Sequence, residues 1–318
     1  MTVTGKKILF VDTVHPYLQE QLTIHGFICE DGSRLSRAEI LKTIGGYEGV
    51  VIRSRFKIDE EILNAAVSLK FIARAGAGME NIDLRAAEAK KVVCLNAPEG
   101  NRNAVAEHAM GMLLALMNNI VKSDKEVRKG VWLREANRGT ELAGKTVGII
   151  GFGNTGRSFA EKLTGFHCNI LVNDPYITLD EKLFPGITQV SLDVLLRESD
   201  VISLHVPLTE ETRFMVNQTF IDQLKKKPFL INTSRGKVVE TAAVVFALET
   251  QKIRGIALDV LEFESLSFEN IEKDQLPEAF LQLCKYDQVI LSPHIAGWSY
   301  ESHHLISEVL AKKILALP

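Results

Sequence analysis

The sequence predicts an α/β protein built from two doubly wound parallel-sheet domains. Short apolar runs alternate with helix-length amphipathic segments along nearly the whole chain, which is typical of βαβ units. A glycine-rich turn, residues 151–156, lies between one of these runs and the helical segment that follows it. The chain has 318 residues, and at ~100–200 residues per domain this length suggests two domains.

Five apolar runs in the first third predict the strands of one doubly wound unit. Helical segments around 18–25, 37–44, 60–66 and 84–90 separate them. The turn-rich residues 96–101 then predict a domain junction, and a long helical pattern runs from Asn103 into the region of Val127. The predicted strands are 7–11, 27–29, 50–53, 71–73 and 92–95.

A second series of apolar runs predicts six parallel strands, which suit a dinucleotide-binding domain. A helical segment from about 301 to 315 has no strand of its own, and we expect it to return to the first domain. The predicted boundaries are 1–99 for the first segment of a substrate domain, 100–295 for the dinucleotide-binding domain and 296–318 for the returning helix. The six strands are 146–150, 169–173, 201–205, 229–232, 256–259 and 289–291.

Composition excludes several classes of protein. Apolar residues make up 46% and charged residues 24% of the chain, as in ordinary globular proteins. A net charge of −3 argues against nucleic acid or an acidic membrane as partner. The chain starts on a short strand pattern, so we expect no secretory signal, and its longest apolar helical stretch, 104–120, is too short to span a bilayer. The four cysteines form no C-x-x-C pair, so we expect no metal site and a cytoplasmic protein with reduced thiols.

The glycine-rich turn predicts a binding site for NAD. Gly151 permits a tight turn, Gly153 lets a pyrophosphate approach the backbone, and Gly156 allows close helix packing at a helix N-terminus that attracts anions. Asp174 ends the next predicted strand, where a carboxylate accepts hydrogen bonds from ribose hydroxyls and repels a 2′-phosphate. Arg157 is the argument for NADP, although it lies on the helix of the glycine turn rather than after the second strand.

Polar residues follow the other strands of this domain, at the sheet edge where ligands bind in open α/β folds. They are His205 with Pro207, the turn Thr233, Ser234 and Arg235, then Asp259, and His294.

Arg235, Asp259 and His294 form a candidate reaction centre. Hydride transfer from a 2-hydroxy acid needs a cation for the carboxylate and a base for the hydroxyl proton, and Arg235 and His294 fit these needs. Glu264 is the candidate carboxylate beside His294. Taken singly, Arg235 could cap a turn, His294 could be a structural loop histidine and Glu264 could be solvated.

With these motifs the sequence resembles the D-isomer-specific 2-hydroxyacid dehydrogenases, most nearly those that act on 3-phosphoglycerate. The likeness covers almost the whole chain. It is carried by residues 51–55, 73–78 with 81–83, 96–98, 104–108, the glycine turn, 231–236, 257–260 and 292–294.

The resemblance implies a flavodoxin-like substrate domain, a Rossmann domain that binds NAD, and a homodimer formed through the long helix after Asn103. It implies catalysis by Arg235, Glu264 and His294. Where the family commonly has Pro after its catalytic Glu, this chain has Ser265, so Glu262 is the alternative partner of His294. Implied cofactor contacts are Asn154, Thr155, Asp174, His205, Val206, Pro207, Thr212, Thr233, Ser234, Asp259 and Gly297, together with the three glycines.

The implied substrate site uses Arg53 and Ser54 with the backbone amides of Gly76, Ala77 and Gly78, which together suit a carboxylate. Arg55 and Lys57 add positive charge for a substrate phosphate, although solvated surface residues would look the same. The expected reaction is NAD-dependent oxidation of a D-2-hydroxy acid, with 3-phosphoglycerate, and hence serine biosynthesis, as the first choice. The alternatives are a D-2-hydroxyacid dehydrogenase of the glycerate/hydroxypyruvate or lactate type, a dehydrogenase of formate or another small acid, or a corepressor-like protein that binds NAD without catalysis.

Overall fold

The computed structural model describes residues 5–180, 182–264 and 276–318. Within these residues, twelve strands form two sheets, all of whose pairings are parallel. The predicted fold class is therefore confirmed. The strands are β1 Lys7–Phe10, β2 Ile28–Asp31, β3 Gly49–Ile52, β4 Phe71–Arg74, β5 Val93–Leu95, β6 Thr146–Ile150, β7 Asn169–Asn173, β8 Ile187–Gln189, β9 Val201–Leu204, β10 Phe229–Asn232, β11 Gly255–Leu258 and β12 Val289–Leu291.

Helices lie between most successive strands, as is usual for parallel pairing, whereas a segment with no assigned helix among its described residues separates β7 from β8. Side chains cap several of the helices, for example Ser36 before α2 and Asp59 before α3. The helices are α1 Pro16–Ile24, α2 Arg37–Thr43, α3 Glu60–Ala65, α4 Leu84–Ala89, α5 Pro98–Met117, α6 Ile120–Arg128, α7 Asn154–Leu163, α8 Leu192–Glu198, α9 Gln218–Gln223, α10 Thr241–Glu249, α11 Glu278–Leu283 and α12 Tyr300–Leu315.

The chain divides into two compact units. In the described residues, the first unit consists of 5–102 and 298–318, and the second of 103–297 without the gaps. The boundaries between the two units lie between residues 102 and 103 and between residues 297 and 298, a few residues from the boundaries that the sequence suggested.

The first unit contains a five-stranded sheet in the order β2-β1-β3-β4-β5, which is the flavodoxin-like order. Helix α12 packs on this sheet through Ile306, Leu310 and Ile314, which join a core with Ile8 and Leu18. Because the apolar positions of α12 are buried in the first unit, this helix completes the core of the N-terminal sheet.

The second unit contains a seven-stranded sheet in the order β12-β11-β10-β9-β6-β7-β8. Strands β6 to β8 extend in one direction from the middle of the sheet and strands β9 to β12 extend in the other, and this reversal of strand order is characteristic of the Rossmann fold. The prediction of six strands was wrong, because β8 is a seventh. Its three residues Ile-Thr-Gln present no apolar run, since only Ile187 is buried. A strand this short leaves no periodic signal in the sequence.

The region after residue 96 also differs from the prediction. Residues 98–101 belong to α5, which begins at Pro98, a residue that suits the first position of a helix. The long helical pattern breaks at Asn119, whose backbone is left-handed at φ 53, and α6 leaves at an angle of 61° to α5. No single helix among the described residues has the length and apolarity to cross a membrane, although α5 and α6 taken together meet that test on length and composition alone.

Candidate active site in the second unit

The glycine turn after β6 leads directly into α7. Gly151 is left-handed at φ 89, and a Cβ there would lie 2.5 Å from the carbonyl oxygen of His205. At Gly156, a Cβ would lie 2.1 Å from the carbonyl oxygen of Gly151. A Cβ on Gly153 would meet nothing within 4 Å, so this glycine borders open space at the N-terminus of α7. The unpaired amides of the first helical turn, which starts with Asn154 and Thr155, suit a pyrophosphate.

Asp174 directly follows β7 and fixes the glycine turn. Its Oδ2 accepts a hydrogen bond from the amide of Phe152 at 2.8 Å, and its Oδ1 accepts from the amide of Tyr176 at 2.9 Å. The hydroxyl of Tyr176 donates to Glu211 at 2.5 Å, and this carboxylate raises the pKa of the tyrosine. Two carboxylates beside one tyrosine make this edge of the sheet unfavourable for a 2′-phosphate.

Arg157, the residue that argued for NADP, is engaged elsewhere. Its Nε donates to the carbonyl of Phe152 at 2.9 Å, and the guanidinium lies 5.5 Å from the ring centroid of Phe184 and 5.7 Å from that of Phe152. The contacts of this arginine are therefore with the turn itself and with an aromatic pair.

The segment after β9 places its residues in different roles. The imidazole of His205 is buried against Phe159, and its Nε2 lies 2.8 Å from Ser203 Oγ. Burial lowers the pKa of His205 from 6.5 to about 3, because the charged form would lose its solvation. The carbonyl group of His205 borders Gly151. The side chain of Val206 packs beside the same glycine, since its Cγ1 would lie 2.9 Å from a Cβ on Gly151.

Thr212 closes the loop that begins at Pro207. Its hydroxyl donates to the carbonyl of Pro207 at 2.6 Å and accepts from the amide of Thr209 at 2.8 Å. The side chain of Thr212 thus shapes the loop, and Pro207 is exposed on it.

The turn after β10 carries Arg235. Asn232, which is fully buried, accepts from the amide and hydroxyl of Ser234 and donates to the carbonyl of Arg235 at 2.9 Å. Arg235 Nη1 donates to the carbonyl of Ser234 at 2.7 Å. The buried Oγ1 of Thr233 has no hydrogen-bond partner within the described residues. An unsatisfied buried hydroxyl is costly, so Thr233 fits a residue that completes its bonding to a bound cofactor.

The structure pairs His294 with Glu264. His294 Nδ1 lies 2.7 Å from Glu264 Oε2, and both side chains are mostly buried. Glu262, the alternative partner, accepts from the amide of Thr241 at 2.7 Å instead. The amide of Leu261 donates to the second carboxylate oxygen of Glu264. Ser265, the departure from the family pattern, lies outside the described residues.

Asp259 fixes the turn on which His294 lies. Its side chain is 1% exposed, and it accepts from the Ser292 hydroxyl at 2.6 Å and from the amides of Ile295 and Ala296 at 2.9 and 2.8 Å. Gly297, a further predicted cofactor contact, comes next in the chain. The contacts of the Asp259 carboxylate within the chain are thus structural. Arg235, Glu264, Asp259 and His294 all follow strands at one edge of the seven-stranded sheet.

In the first unit, Asp12 binds the backbone of Arg53 and Ser54, two of the predicted substrate residues. Its Oδ2 accepts from the amides of Arg53, Ser54 and Arg55 at 2.8 to 3.0 Å. The guanidinium of Arg55 donates to the carbonyls of Val11, Gly32 and Leu35, so this residue holds the fold together. The guanidinium of Arg53 lies 4.4 Å from the ring centroid of Trp298, a cation–π contact that the sequence did not suggest.

The glycine-rich loop after β4 offers two backbone donors. The amide of Gly76 donates to the carbonyl of Arg74 at 2.9 Å, whereas those of Ala77 and Gly78 have no hydrogen-bond partner in the described parts of the chain. Two such neighbouring amides can hold a carboxylate.

The comparisons with known proteins agree with this geometry. The model of the NAD-binding domain of D-isomer-specific 2-hydroxyacid dehydrogenases matches residues 110–296. The chain therefore belongs to the D-isomer-specific 2-hydroxyacid dehydrogenase family, and its second unit contains the family's NAD-binding domain. The predictions of this family and of NAD as cofactor are confirmed.

Two relatives illustrate how much of a curated protein this chain covers. D-3-phosphoglycerate dehydrogenase of Archaeoglobus fulgidus is 34% identical over 309 residues, which cover 97% of this chain and 56% of that protein. Hydroxypyruvate reductase of Thermotoga maritima is 36% identical over 280 residues, 88% of either chain. The chain spans about half the length of the phosphoglycerate dehydrogenases that it matches.

A solved structure covers nearly all of the chain. The crystal structure of D-lactate dehydrogenase from Aquifex aeolicus, complexed with NAD and lactic acid, is 31% identical, with a TM-score of 0.83. The alignment includes 98% of this chain and 95% of that chain.

Proposed function

We propose that the protein is an NAD-dependent dehydrogenase that interconverts a D-2-hydroxy acid and its 2-oxo acid. The observation that carries the proposal is the His294 and Glu264 pair, 2.7 Å apart, at the same sheet edge as Arg235. When bound, NAD supplies the nicotinamide ring that accepts or returns the hydride. The glycine turn, Asp174 and Thr233 are the residues that would hold it.

The side chains of this unit perform the remaining tasks. Arg235 binds the carboxylate of the acid and polarises the oxygen on C2, since a guanidinium pairs with a carboxylate through two parallel hydrogen bonds. His294 exchanges the proton of the C2 hydroxyl through Nε2, because its Nδ1 is held by Glu264. Glu264 stabilises the imidazolium that forms when the hydroxy acid is oxidised.

The test is the rate of NADH oxidation with 2-oxo acids, measured on the purified full chain. The wild-type protein should turn over at least one of glyoxylate, hydroxypyruvate, pyruvate and 3-phosphohydroxypyruvate. His294→Gln and Arg235→Ala should each lower kcat/KM by about 10²–10⁴-fold, the usual contribution of such groups. NADH binding without turnover of any of these acids would favour the corepressor-like alternative.

The finer proposal is that the substrate is 3-phosphoglycerate, and it rests on the relatives named for that reaction. Hydroxypyruvate is the second candidate for two reasons. The guanidinium of Arg55, which the first proposal needs for the substrate phosphate, donates to backbone carbonyls instead. The hydroxypyruvate reductase also matches this chain along most of its own length. Steady-state rates with 3-phosphoglycerate and D-glycerate at matched concentrations decide between them. A preference for D-glycerate would end the first proposal. The contacts from Arg53, Ser54, Gly76, Ala77 and Gly78 to substrate are part of the same proposal.

We also propose that the protein forms a homodimer through α6 and the segment that follows it. Ile120, Val127, Trp132 and Leu133 are all at least half exposed, and so many large apolar side chains near each other mark an interaction surface. Val127→Asp should convert the dimer to a monomer in sedimentation velocity. Val67→Asp, at an exposed valine of the first unit, is the control that should stay dimeric.

A further inference from the structure

His108, on α5, contacts the hydrogen-bond network that holds the turn of His294. Its Nε2 lies 3.0 Å from Ser292 Oγ and 3.6 Å from Asp259 Oδ1. Ser292 Oγ in turn lies 2.6 Å from the same oxygen of Asp259. A serine hydroxyl has one hydrogen to donate, and the Asp259 carboxylate accepts, so Ser292 donates to Asp259 and accepts from Nε2–H of His108. The hydrogen bonds therefore run from His108 through Ser292 to Asp259.

Asp259 links these hydrogen bonds to the backbone at His294. The carboxylate accepts the amides of Ile295 and Ala296, and the carbonyl oxygen of Asp259 accepts the amide of His294 at 2.7 Å. His294 has a left-handed backbone at φ 55°, a conformation that is strained for a residue with a side chain. Such a turn persists only where surrounding bonds fix it. The direction of the His294 side chain therefore depends on how firmly Asp259 is held.

The ring of His108 is oriented to donate to Ser292. With its hydrogen on Nε2, it donates from that nitrogen to Ser292 Oγ, 3.0 Å away. One turn further along α5, Met112 Sδ lies 3.9 Å from Ser292 Oγ, and this weak acceptor does not displace the 2.6 Å bond from Ser292 to Asp259. The motif that contains His108 was noted in the sequence, but the proposed reaction does not use it.

We propose that His108 is a positioning residue for His294. By donating to Ser292 it holds Asp259, and with it the turn that sets His294 Nδ1 against Glu264. The proposal rests on the proposed function only in that His294 is the group whose proton is exchanged.

Kinetics of matched variants test the chain of contacts. His108→Ala should lower kcat about tenfold with little change in KM, a loss of about 1.4 kcal/mol in barrier terms. In His108→Gln, whose amide can donate to Ser292, most of kcat should return. Ser292→Ala should reproduce the loss, and the double variant should be no worse than either single variant, because both break one path. Glu107→Gln, the adjacent residue on α5, is the control and should match the wild type.

A spectroscopic readout keeps the proposal separate from the activity itself. In protein labelled with 15N-histidine, the signal of His294 is assigned by its loss in His294→Gln, and its Nδ1 hydrogen reports the bond to Glu264. This signal should shift in His108→Ala and Ser292→Ala and stay in place in His108→Gln. An unmoved signal with unchanged kcat in His108→Ala would overturn the proposal, as would normal behaviour of Ser292→Ala beside an impaired His108→Ala. A wild-type protein without turnover would remove the proposed function, yet the His294 signal would still decide this inference. Should His108→Ala fail to fold, Ser292→Ala carries the same test.

Discussion

The imidazole of His294 is bonded to Glu264 at 2.7 Å, while Glu262, two residues earlier, binds the amide of Thr241 at the start of α10. The two carboxylates lie close in sequence but serve different parts of the unit. Glu264 is placed to stabilise a charged imidazole, whereas Glu262 stabilises the N-terminus of a helix.

Replacing each of these carboxylates with an amide separates their roles. Glu264→Gln should lower kcat by about 10²-fold, the size of a typical acid–base contribution. Glu262→Gln is the matched control and should keep kcat near that of the wild type. A loss of kcat in Glu262→Gln with an unchanged kcat in Glu264→Gln would contradict the assignment.

Two glycines of the cofactor turn should respond differently to a methyl group. Gly156→Ala places a Cβ 2.1 Å from the carbonyl of Gly151 and should lower Tm, because backbone atoms must shift. Gly153→Ala meets nothing within 4 Å and should keep Tm, yet weaken NADH binding because the methyl group occupies the space of the pyrophosphate.

Calorimetry and NADH fluorescence titration measure the two effects. Gly165→Ala, another glycine with open space around its Cβ position, is the control for both. Unchanged NADH affinity in Gly153→Ala would show that no anion approaches this turn.

Asp174 should control the choice between NAD and NADP. Asp174→Asn keeps an oxygen that accepts the Phe152 amide but removes the charge, so the preference for NADH over NADPH in kcat/KM should fall about tenfold or more, as expected for removing one close repulsive charge. Asp174→Ala should in addition lower Tm, since the amide of Phe152 loses its partner. Asp180→Asn, on the exposed segment that follows, is the control. An unchanged cofactor preference in both Asp174 variants would remove Asp174 from this role.

His205 should make the protein less stable in mild acid. Its pKa in the folded protein is about 3, against 6.5 in the unfolded chain, so between these values the unfolded chain binds a proton that the folded protein excludes. Stability at this site is complete above pH 6.5 and falls as the pH drops, by at most ~1.4 kcal/mol per pH unit. Tm of the wild type should therefore fall more between pH 7.5 and 5 than Tm of His205→Gln.

The exposed His25 supplies the control for that experiment. His25→Gln should follow the wild type at both pH values, since its imidazole is open to solvent. Equal losses of Tm in the wild type and in His205→Gln would show that His205 titrates normally.

Much of the fold was predictable because parallel strands that are buried on both faces leave plain apolar runs. β9, β10 and β11 are fully buried, and their signal is correspondingly strong. β8 was missed because two of its three residues are exposed, so no pattern distinguishes it from a loop. The start of α5 was missed because Pro98 and Gly100 are typical of a turn, although a proline also suits the first position of a helix.

At the site, the sequence indicated which residues follow the strands but not what each side chain contacts. Two glutamates two positions apart cannot be ranked without the path of the chain between them. The hydrogen bonds from Asn232 to the turn of Arg235 were not predicted, because an asparagine at the end of a strand is equally typical of an exposed turn, and the sequence does not show that it is buried. The commitment of Arg55 to three carbonyls likewise depends on long-range packing.

The left-handed backbone of His294 is a conformation that some other residue types adopt with less strain than histidine does. Glycine would adopt this conformation without strain, and asparagine nearly so, yet neither carries an imidazole. The position therefore sets conformational stability against the proposed proton exchange, and selection for heat tolerance alone would favour a residue without an imidazole here.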